Sequence, residues 1–159
     1  LRLIKMWLKA PIVEEREDVD ARQESFNFLG FSIGMKRGKR TGREYLHTEP
    51  SKKALKHIRA EVKRLTTEQY SASPTEDVIR RVNEVARGWV GYFRFGNCTK
   101  AMSSFKRYLV YRMRIYLRRK HHYRSFGYKA FPDRYYYDSL GLYEVPTKAP
   151  WVQNVKASG

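Results

Sequence analysis

A mainly α fold is what this sequence predicts: a three-helix bundle preceded by a β-hairpin and followed by an irregular, aromatic C-terminal extension. Three observations carry that expectation. Between Ser51 and His122, three successive segments repeat apolar residues at helical spacing. Upstream of them, two β-prone runs flank a tip rich in Gly, Lys and Arg. From His121 onward the chain becomes rich in Tyr, Gly and Pro and loses any helical period. With 159 residues, 42% of them hydrophobic, the chain can bury one modest core. The expected division is a helix and linker over residues 1–25, the hairpin over 26–49, the helices over 50–122 and the extension over 123–159.

Leu3, Ile4, Trp7 and Leu8 lie on one helix face, and Pro11 ends that helix. It has neither a capping residue nor an initiating Met, which suggests that the natural start is missing. Glu14 to Glu24 holds six acidic residues and reads as a solvated linker. The hairpin runs from Phe26 to Ile33 and back over Glu44 to Thr48, with Lys36, Arg37, Lys39, Arg40 and Arg43 around its tip. Those cations suit two readings equally, protection of the strand edge from other chains and contact with phosphates.

Ser51 can cap the first long helix, whose apolar stripe is Ala54, Leu55, Ile58, Val62 and Leu65. Lys52, Lys56, Arg59 and Lys63 fall opposite that stripe, where like charges one turn apart repel unless an anion relieves them. Ser73-Pro-Thr-Glu76 reads as a capping box with Pro at the first helical position. The second helix turns Val78, Ile79, Val82, Val85, Ala86, Trp89, Val90 and Phe93 inward, and Arg80, Asn83, Arg87 and Arg94 outward. By phase Trp89 belongs to the core, and Gly88 and Gly91 beside it suit close helix approach; stacking of Trp89 on a base is the alternative. Gly96 and Asn97 stop this helix, and Thr99 starts a third with Met102, Phe105, Leu109, Met113 and Tyr116 inside. Its other side carries Lys100, Arg107, Tyr111, Arg114 and Arg118, with Arg119 and Lys120 at the end.

The formal charge is +17, and from Ala86 to Pro132 twelve Lys or Arg occur without a single Asp or Glu. Interleaved aromatic rings, Tyr111 first among them, offer stacking surfaces, so nucleic acid is the partner this composition favours. The run from Arg118 to Arg124 exceeds what neutralising a helix C-terminus needs. A lone Cys98 excludes an internal disulfide and any multi-cysteine zinc module. Adjacent His121 and His122 point apart on a helix, which argues against a shared metal. No apolar run is long enough for a membrane span and no cleavable leader is evident, so a cytoplasmic protein is expected.

Phe28-Leu-Gly-Phe31 in a hairpin, Pro50-Ser-Lys-Lys53 opening a basic helix and Arg87-Gly-Trp-Val-Gly-Tyr-Phe93, in this order, followed by Gly141-Leu-Tyr143 and Pro150-Trp151, resemble the C-terminal part of group II intron reverse transcriptase/maturases. The resemblance covers Arg22 to Trp151. It implies that the hairpin is the end of a polymerase palm and that the three helices are the thumb, or domain X. Leu1 to Val13 resembles a helix that lies ahead of the polymerase active site, so the chain reads as a family member without its catalytic palm. The family polymerises with carboxylates of a Tyr-x-Asp-Asp turn that hold magnesium. No Asp-Asp pair occurs here, so this chain alone is not expected to be an enzyme.

What the resemblance implies instead is binding of structured group II intron RNA and help with its folding and splicing. Mg²⁺ would come with the RNA, and no cofactor, small-molecule substrate or membrane is implied. DNA stays open as a second nucleic-acid partner. The implied RNA-binding set is Lys36, Arg37, Lys39, Arg40, Lys52, Lys56, Arg59, Lys63, Arg80, Arg87, Arg94, Lys100, Arg107, Tyr111, Arg114, Arg118, Arg119 and Lys120. Two alternatives remain: one piece of a split or truncated reverse transcriptase whose carboxylates lie on another chain, and a remnant that binds RNA without selectivity.

Overall fold

The computed structural model describes residues 25–67, 72–124, 128–129 and 131–148. The expected N-terminal helix, the acidic linker before Ser25, and Trp151 lie outside the described residues. In chain order the elements are β1 (Ser25–Phe28), β2 (Phe31–Arg37), β3 (Glu44–Pro50), α1 (Lys52–Leu65), α2 (Thr75–Phe93), α3 (Thr99–Lys120) and α4 (Asp133–Asp138). Among the described residues the fold is therefore mixed rather than mainly α, with a three-stranded antiparallel sheet, order β1-β2-β3, ahead of four helices.

The third strand arises because the run from Phe26 to Ile33 is not one strand. Leu29 and Gly30 have φ of +49° and +83° and make a two-residue turn that pairs Phe28 with Phe31. Leucine gives no turn signal, and its left-handed backbone is held from outside. The Tyr92 hydroxyl donates to the Leu29 carbonyl at 3.0 Å, and the Ser51 N–H donates to the Gly30 carbonyl at 2.8 Å. Glycine suits position 30 because a side chain there would be strained by the positive φ and its Cβ would sit a tight 3.0 Å from Phe93 Cζ. Phe31 packs its ring 4.9 Å from that of Phe93 and 5.6 Å from that of Tyr92.

Ser51 caps α1 as expected, accepting the Ala54 N–H at 3.1 Å. Ile58, Val62 and Leu65 are buried, with Ala54 and Leu55 packed at the margin. The capping box at the start of α2 does not form. The helix begins at Thr75 with Pro74 in the capping position and no side-chain cap, and the Pro74 carbonyl accepts from the Asp77 and Val78 N–H groups. Ser73 is thus one residue too early for that role, and its carbonyl instead takes a hydrogen bond from Lys120 Nζ. The stop at Gly96 and Asn97 does form. Gly96 has φ +80°, and a Cβ on it would meet the Thr48 carbonyl oxygen at 2.5 Å. The Asn97 N–H donates to that oxygen at 2.6 Å while Asn97 Oδ1 accepts from the Thr48 N–H at 3.3 Å, so the α2–α3 turn is fastened to β3.

α1 packs against both α2 and α3, and all three share one hydrophobic cluster. Met102, Phe105, Leu109, Met113 and Tyr116 are buried in it, and Trp89 packs its ring 4.9 Å from Phe93 and 5.0 Å from Phe105. Its phase-based assignment to the core holds.

The extension is less irregular than expected. Tyr136, on α4, is fully buried, and Leu142 and Val145 join the core beyond it. Asn83 is buried rather than outward: Nδ2 donates to the Gly141 carbonyl at 2.8 Å and Oδ1 accepts from the Tyr143 N–H at 2.7 Å, which clamps the extension to α2. Tyr137 on α4 has its phenol pushed up to about 12, chiefly by burial and further by the Glu144 carboxylate.

Trp89→Ala leaves a cavity against Phe93 and Phe105 and is expected to lower stability by about 3 kcal/mol without loss of helix. Thermal melting followed by circular dichroism measures both; an unchanged melting temperature would return Trp89 to the surface.

Candidate nucleic-acid interface

The lysines and arginines divide into those the fold uses and those it displays. On α1, Lys52, Lys56 and Lys63 are exposed on the face opposite Ile58, Val62 and Leu65, and Lys53, absent from the expected set, is exposed as well. At 1.5 Å per residue the track from Lys52 to Lys63 runs about 16 Å. Arg59 departs from it. Its Nη2 donates to Ser104 Oγ at 2.5 Å, its guanidinium lies 5.5 Å from the Tyr108 ring centre, and the Tyr108 hydroxyl donates to its carbonyl at 3.0 Å. Half-buried between α1 and α3, it is primarily a tie between helices.

On α2, Arg80, Arg87 and Arg94 are all exposed. Arg80 pairs with Asp77 at 2.8 Å, while Arg87 and Arg94 each lie 5.5 Å from a ring centre, of Tyr143 and Phe95 respectively. Gly88 and Gly91, expected to admit a neighbouring helix, do not. Both are exposed, and a Cβ on either meets nothing within 4 Å. They leave an open strip of backbone between Arg87 and Arg94.

On α3, Lys100, Arg107 and Tyr111 are exposed, Arg119 is exposed, and Arg118 is half-buried. Lys120 is half-buried with Nζ on the Ser73 carbonyl and 3.3 Å from the Tyr116 hydroxyl. Arg114 is the clear correction. Its side chain is 7% exposed, and Nη2 lies 2.5 Å from Asp133 Oδ1. Its guanidinium sits 4.1 Å from the Tyr128 ring centre and 5.5 Å from that of Tyr136. Burial, the largest single effect, depresses the guanidinium's pKa, but the Asp133 hydrogen bond together with the charge interactions of Asp133, Tyr136 and Tyr128 outweighs it and holds the pKa above its ordinary value. The reason is that α4 covers this flank of α3, which helical phase alone assigned to solvent. Arg112, also buried, donates from Nε to Thr66 Oγ1 at 3.1 Å and from Nη2 to the Thr66 carbonyl at 3.2 Å, satisfying the end of α1.

At the hairpin tip, Arg37, Lys39, Arg40 and Arg43 are exposed, and the turn is closed by Gly38 N–H to the Arg43 carbonyl at 2.9 Å. Lys36, lower on the strand, lies 3.4 Å from Glu49. Burial raises the Glu49 carboxyl, but hydrogen bonds and charge from His47 and Lys36 overcome it and set it below the usual range. Seven strand residues separate the tip from Ser51, roughly 20 Å at strand rise. The tip and the α1 track are therefore two patches.

No group of three or more His, Cys, Asp or Glu among the described residues could hold a metal ion. Cys98 is buried, its Sγ donates to the Arg94 carbonyl at 3.2 Å, and burial pushes its thiol up. No helix of the described residues is long and apolar enough to cross a membrane.

The described residues thus form a helical scaffold in which Asp133 and Glu144 tie cations of α3 to the segments beyond it, while α1, α2 and α3 each display exposed lysines or arginines. The chain belongs to the group II intron, maturase-specific domain family, whose model matches residues 55–136, just over half of the sequence. No curated protein matches it. The matched segment begins inside α1 and ends inside α4, so the first part of the short helix that periodicity missed, Asp133 to Tyr136, falls within the family's domain.

Gly88→Ala and Gly91→Ala should each stabilise the protein by about 1 kcal/mol, because an exposed helical glycine is disfavoured against alanine and the added methyl meets no atom. Chemical denaturation of the two variants checks this; destabilisation would mean that the strip is covered.

Proposed function

We propose that this chain binds structured group II intron RNA through the exposed cations of α1, α2 and α3 and assists the folding and splicing of that RNA. The observation that carries the reading is the α1 track. Lys52, Lys56 and Lys63 are exposed along one face of a helix whose other face is core, and no ion-pair partner stands beside them among the described residues. Duplex nucleic acid carries a charge about every 1.7 Å of axis, so a track of this length can displace several counterions at once. An RNA duplex would be met by shape and backbone, because its deep groove is closed to side chains. Lys100, Arg107 and Tyr111 on α3, and Arg87 and Arg94 on α2, extend the contact, with the Gly88–Gly91 strip leaving room for close approach of a sugar-phosphate backbone. Arg59 and Arg114 act from within, holding the faces in place. The chemistry of splicing belongs to the RNA and its Mg²⁺; the protein contributes positioning and charge.

Replacing Lys52, Lys56 and Lys63 together by Glu breaks no side-chain hydrogen bond or ion pair among the described residues and should leave the melting temperature near that of the parent. Binding to an intron RNA should fall at least a hundredfold, and in a Lys-to-Ala version the slope of log affinity against log salt should shrink by about three. Unchanged affinity in filter binding would remove α1 from the interface. A DNA duplex of equal length as competitor measures how far A-form shape is read.

A second reading, that the chain works joined to a unit bearing polymerase carboxylates, is favoured by the sheet. Strand register aligns Phe26, Phe28, Met35 and Leu46 on the face that carries Phe31. Phe31 is packed on α2, but those four are 61%, 53%, 50% and 61% exposed. Such a patch suits an apolar protein surface better than phosphates. Under this reading, a separately made polypeptide carrying a Tyr-x-Asp-Asp turn co-purifies with the chain and gains RNA-templated DNA synthesis, and Phe26→Ser with Leu46→Ser abolishes both. A mixture that neither associates nor polymerises counts against it.

A further inference from the structure

The C-terminal end of α3 carries a ring cluster that the faces above do not include. α3 stops at Lys120, and His122 takes a left-handed backbone with φ +54°. The Tyr123 N–H then donates to the Arg118 carbonyl at 3.0 Å and the His122 N–H to the Arg119 carbonyl at 3.2 Å, the double closure of a helix end usually made with glycine. This turn brings Tyr123 back beside His121, with ring centres 6.2 Å apart. Phe131 lies 5.4 Å from Tyr123 and 6.4 Å from His121, and Tyr135 of α4 lies 5.3 Å behind Phe131.

The cluster is graded from core to solvent. Phe131 and Tyr135 pack on the hydrophobic core, whereas His121 is exposed and Tyr123 is 44% exposed. Neither ring contact of Tyr123 is a parallel stack, at interplanar angles of 59° and 81°. Its ring is therefore anchored through tilted and edge contacts without a parallel partner among the described residues. Arg124 follows Tyr123 directly in sequence, and Lys129 and Arg134 lie two residues before and three residues after Phe131; all three are exposed cations. The nearest acid in sequence, Asp133, is paired with Arg114 at 2.5 Å.

We propose that this cluster is a binding site for an unpaired nucleotide: a base stacks on Tyr123, supported by His121 and Phe131, and the phosphates on either side meet Arg124 and Lys129. A paired base has both faces covered by its neighbours, so a ring platform of this kind selects single strands. α1 carries exposed cations and no Phe, Tyr or Trp; here the rings lead. The proposal rests on the reading that the chain binds nucleic acid, but it concerns a separate place and a different form of ligand.

The test uses the full chain and three probes: a ten-nucleotide uridine RNA, its thymidine DNA counterpart, and a twelve-base-pair RNA duplex. Affinities are measured by fluorescence anisotropy for the parent, Tyr123→Ala, Tyr123→Phe, Arg124→Glu, and the triple change of Lys52, Lys56 and Lys63 to Glu. Tyr123→Ala is expected to weaken the single strands about tenfold, in keeping with loss of one base-aromatic stack, and to leave the duplex unchanged. Tyr123→Phe restores the affinity, Arg124→Glu loses it, and the triple lysine change strikes chiefly the duplex. The tighter of the two single strands identifies the source of the ligand. Should Tyr123→Ala fail to fold by thermal melting, Arg124→Glu carries the same comparison. Single-strand affinity that is unchanged in Tyr123→Ala and Arg124→Glu, or lost in parallel with duplex affinity, overturns the site. Duplex binding by the parent keeps the α1 reading in either case, and binding of none of the three probes overturns both.

Discussion

Thirty-three lysines and arginines against sixteen acids, with only one modest core to hold them together, set the constraint that the rest of this structure answers. A compact body with a formal charge of +17 repels itself, and each buried cation needs a compensating acceptor. The fold uses some of its cations as structural parts. Arg112 closes the carbonyl end of α1 through Thr66, Arg114 joins α3 to α4 through Asp133 and two tyrosine rings, and Arg59 ties α1 to α3. Lys106 reaches Glu144 at 2.6 Å, fastening the segment after α4. With these inside or at seams, other described cations stand exposed on helix faces and at the hairpin tip, where water, salt or a polyanion can neutralise them.

This division of labour explains which parts of the molecule were legible in the sequence. Apolar periodicity located the three long helices and their inward residues, because burial of one face is what each helix needs most and the pattern records it. Glycine and asparagine located the α2–α3 turn because a positive φ was required there. The same logic failed where the determinant lies across the fold. Nothing local marks Leu29 as a turn residue; Tyr92, sixty-three positions away, supplies the hydrogen bond that holds it. Asn83 reads as a polar outward residue until Gly141 and Tyr143 arrive to use both ends of its amide. Arg114 shares its helical phase with exposed Arg107, and only the fourth helix separates their fates. That helix is six residues long, too short to write a period of its own.

For the candidate site the consequence is specific. Charge density in the sequence located the basic helix faces but not which of their residues the fold keeps for its own contacts. An arginine beside a phosphate and an arginine inside a protein are satisfied by the same chemistry, planar donors facing acceptors or rings, so residue type cannot separate the two uses. Lysine is easier to read, since its ammonium is strongly hydrated and seldom buried without a partner. On α1 the three lysines of the basic stripe stayed out and the arginine turned in.

The family's domain begins at residue 55, yet the physical unit starts earlier. Ser51 supplies the cap of α1, and its N–H binds the β1–β2 turn. Gly30 lies against Phe93, and Thr48 takes the place that a side chain on Gly96 would claim. The Ser51 contacts tie the start of α1 to the sheet, and the other two join the sheet to the C-terminal end of α2 or to the turn that follows it, the same helix that carries Arg87, Trp89 and Arg94. Without the sheet, the Phe93 ring and the α2–α3 turn would lose the surfaces that fix them, and the angle at which α3 leaves α2 would no longer be held from outside. The basic faces of α2 and α3 keep their relative orientation partly because the sheet grips that corner. The strands are thus part of what shapes the cationic surface even where they carry none of its charge.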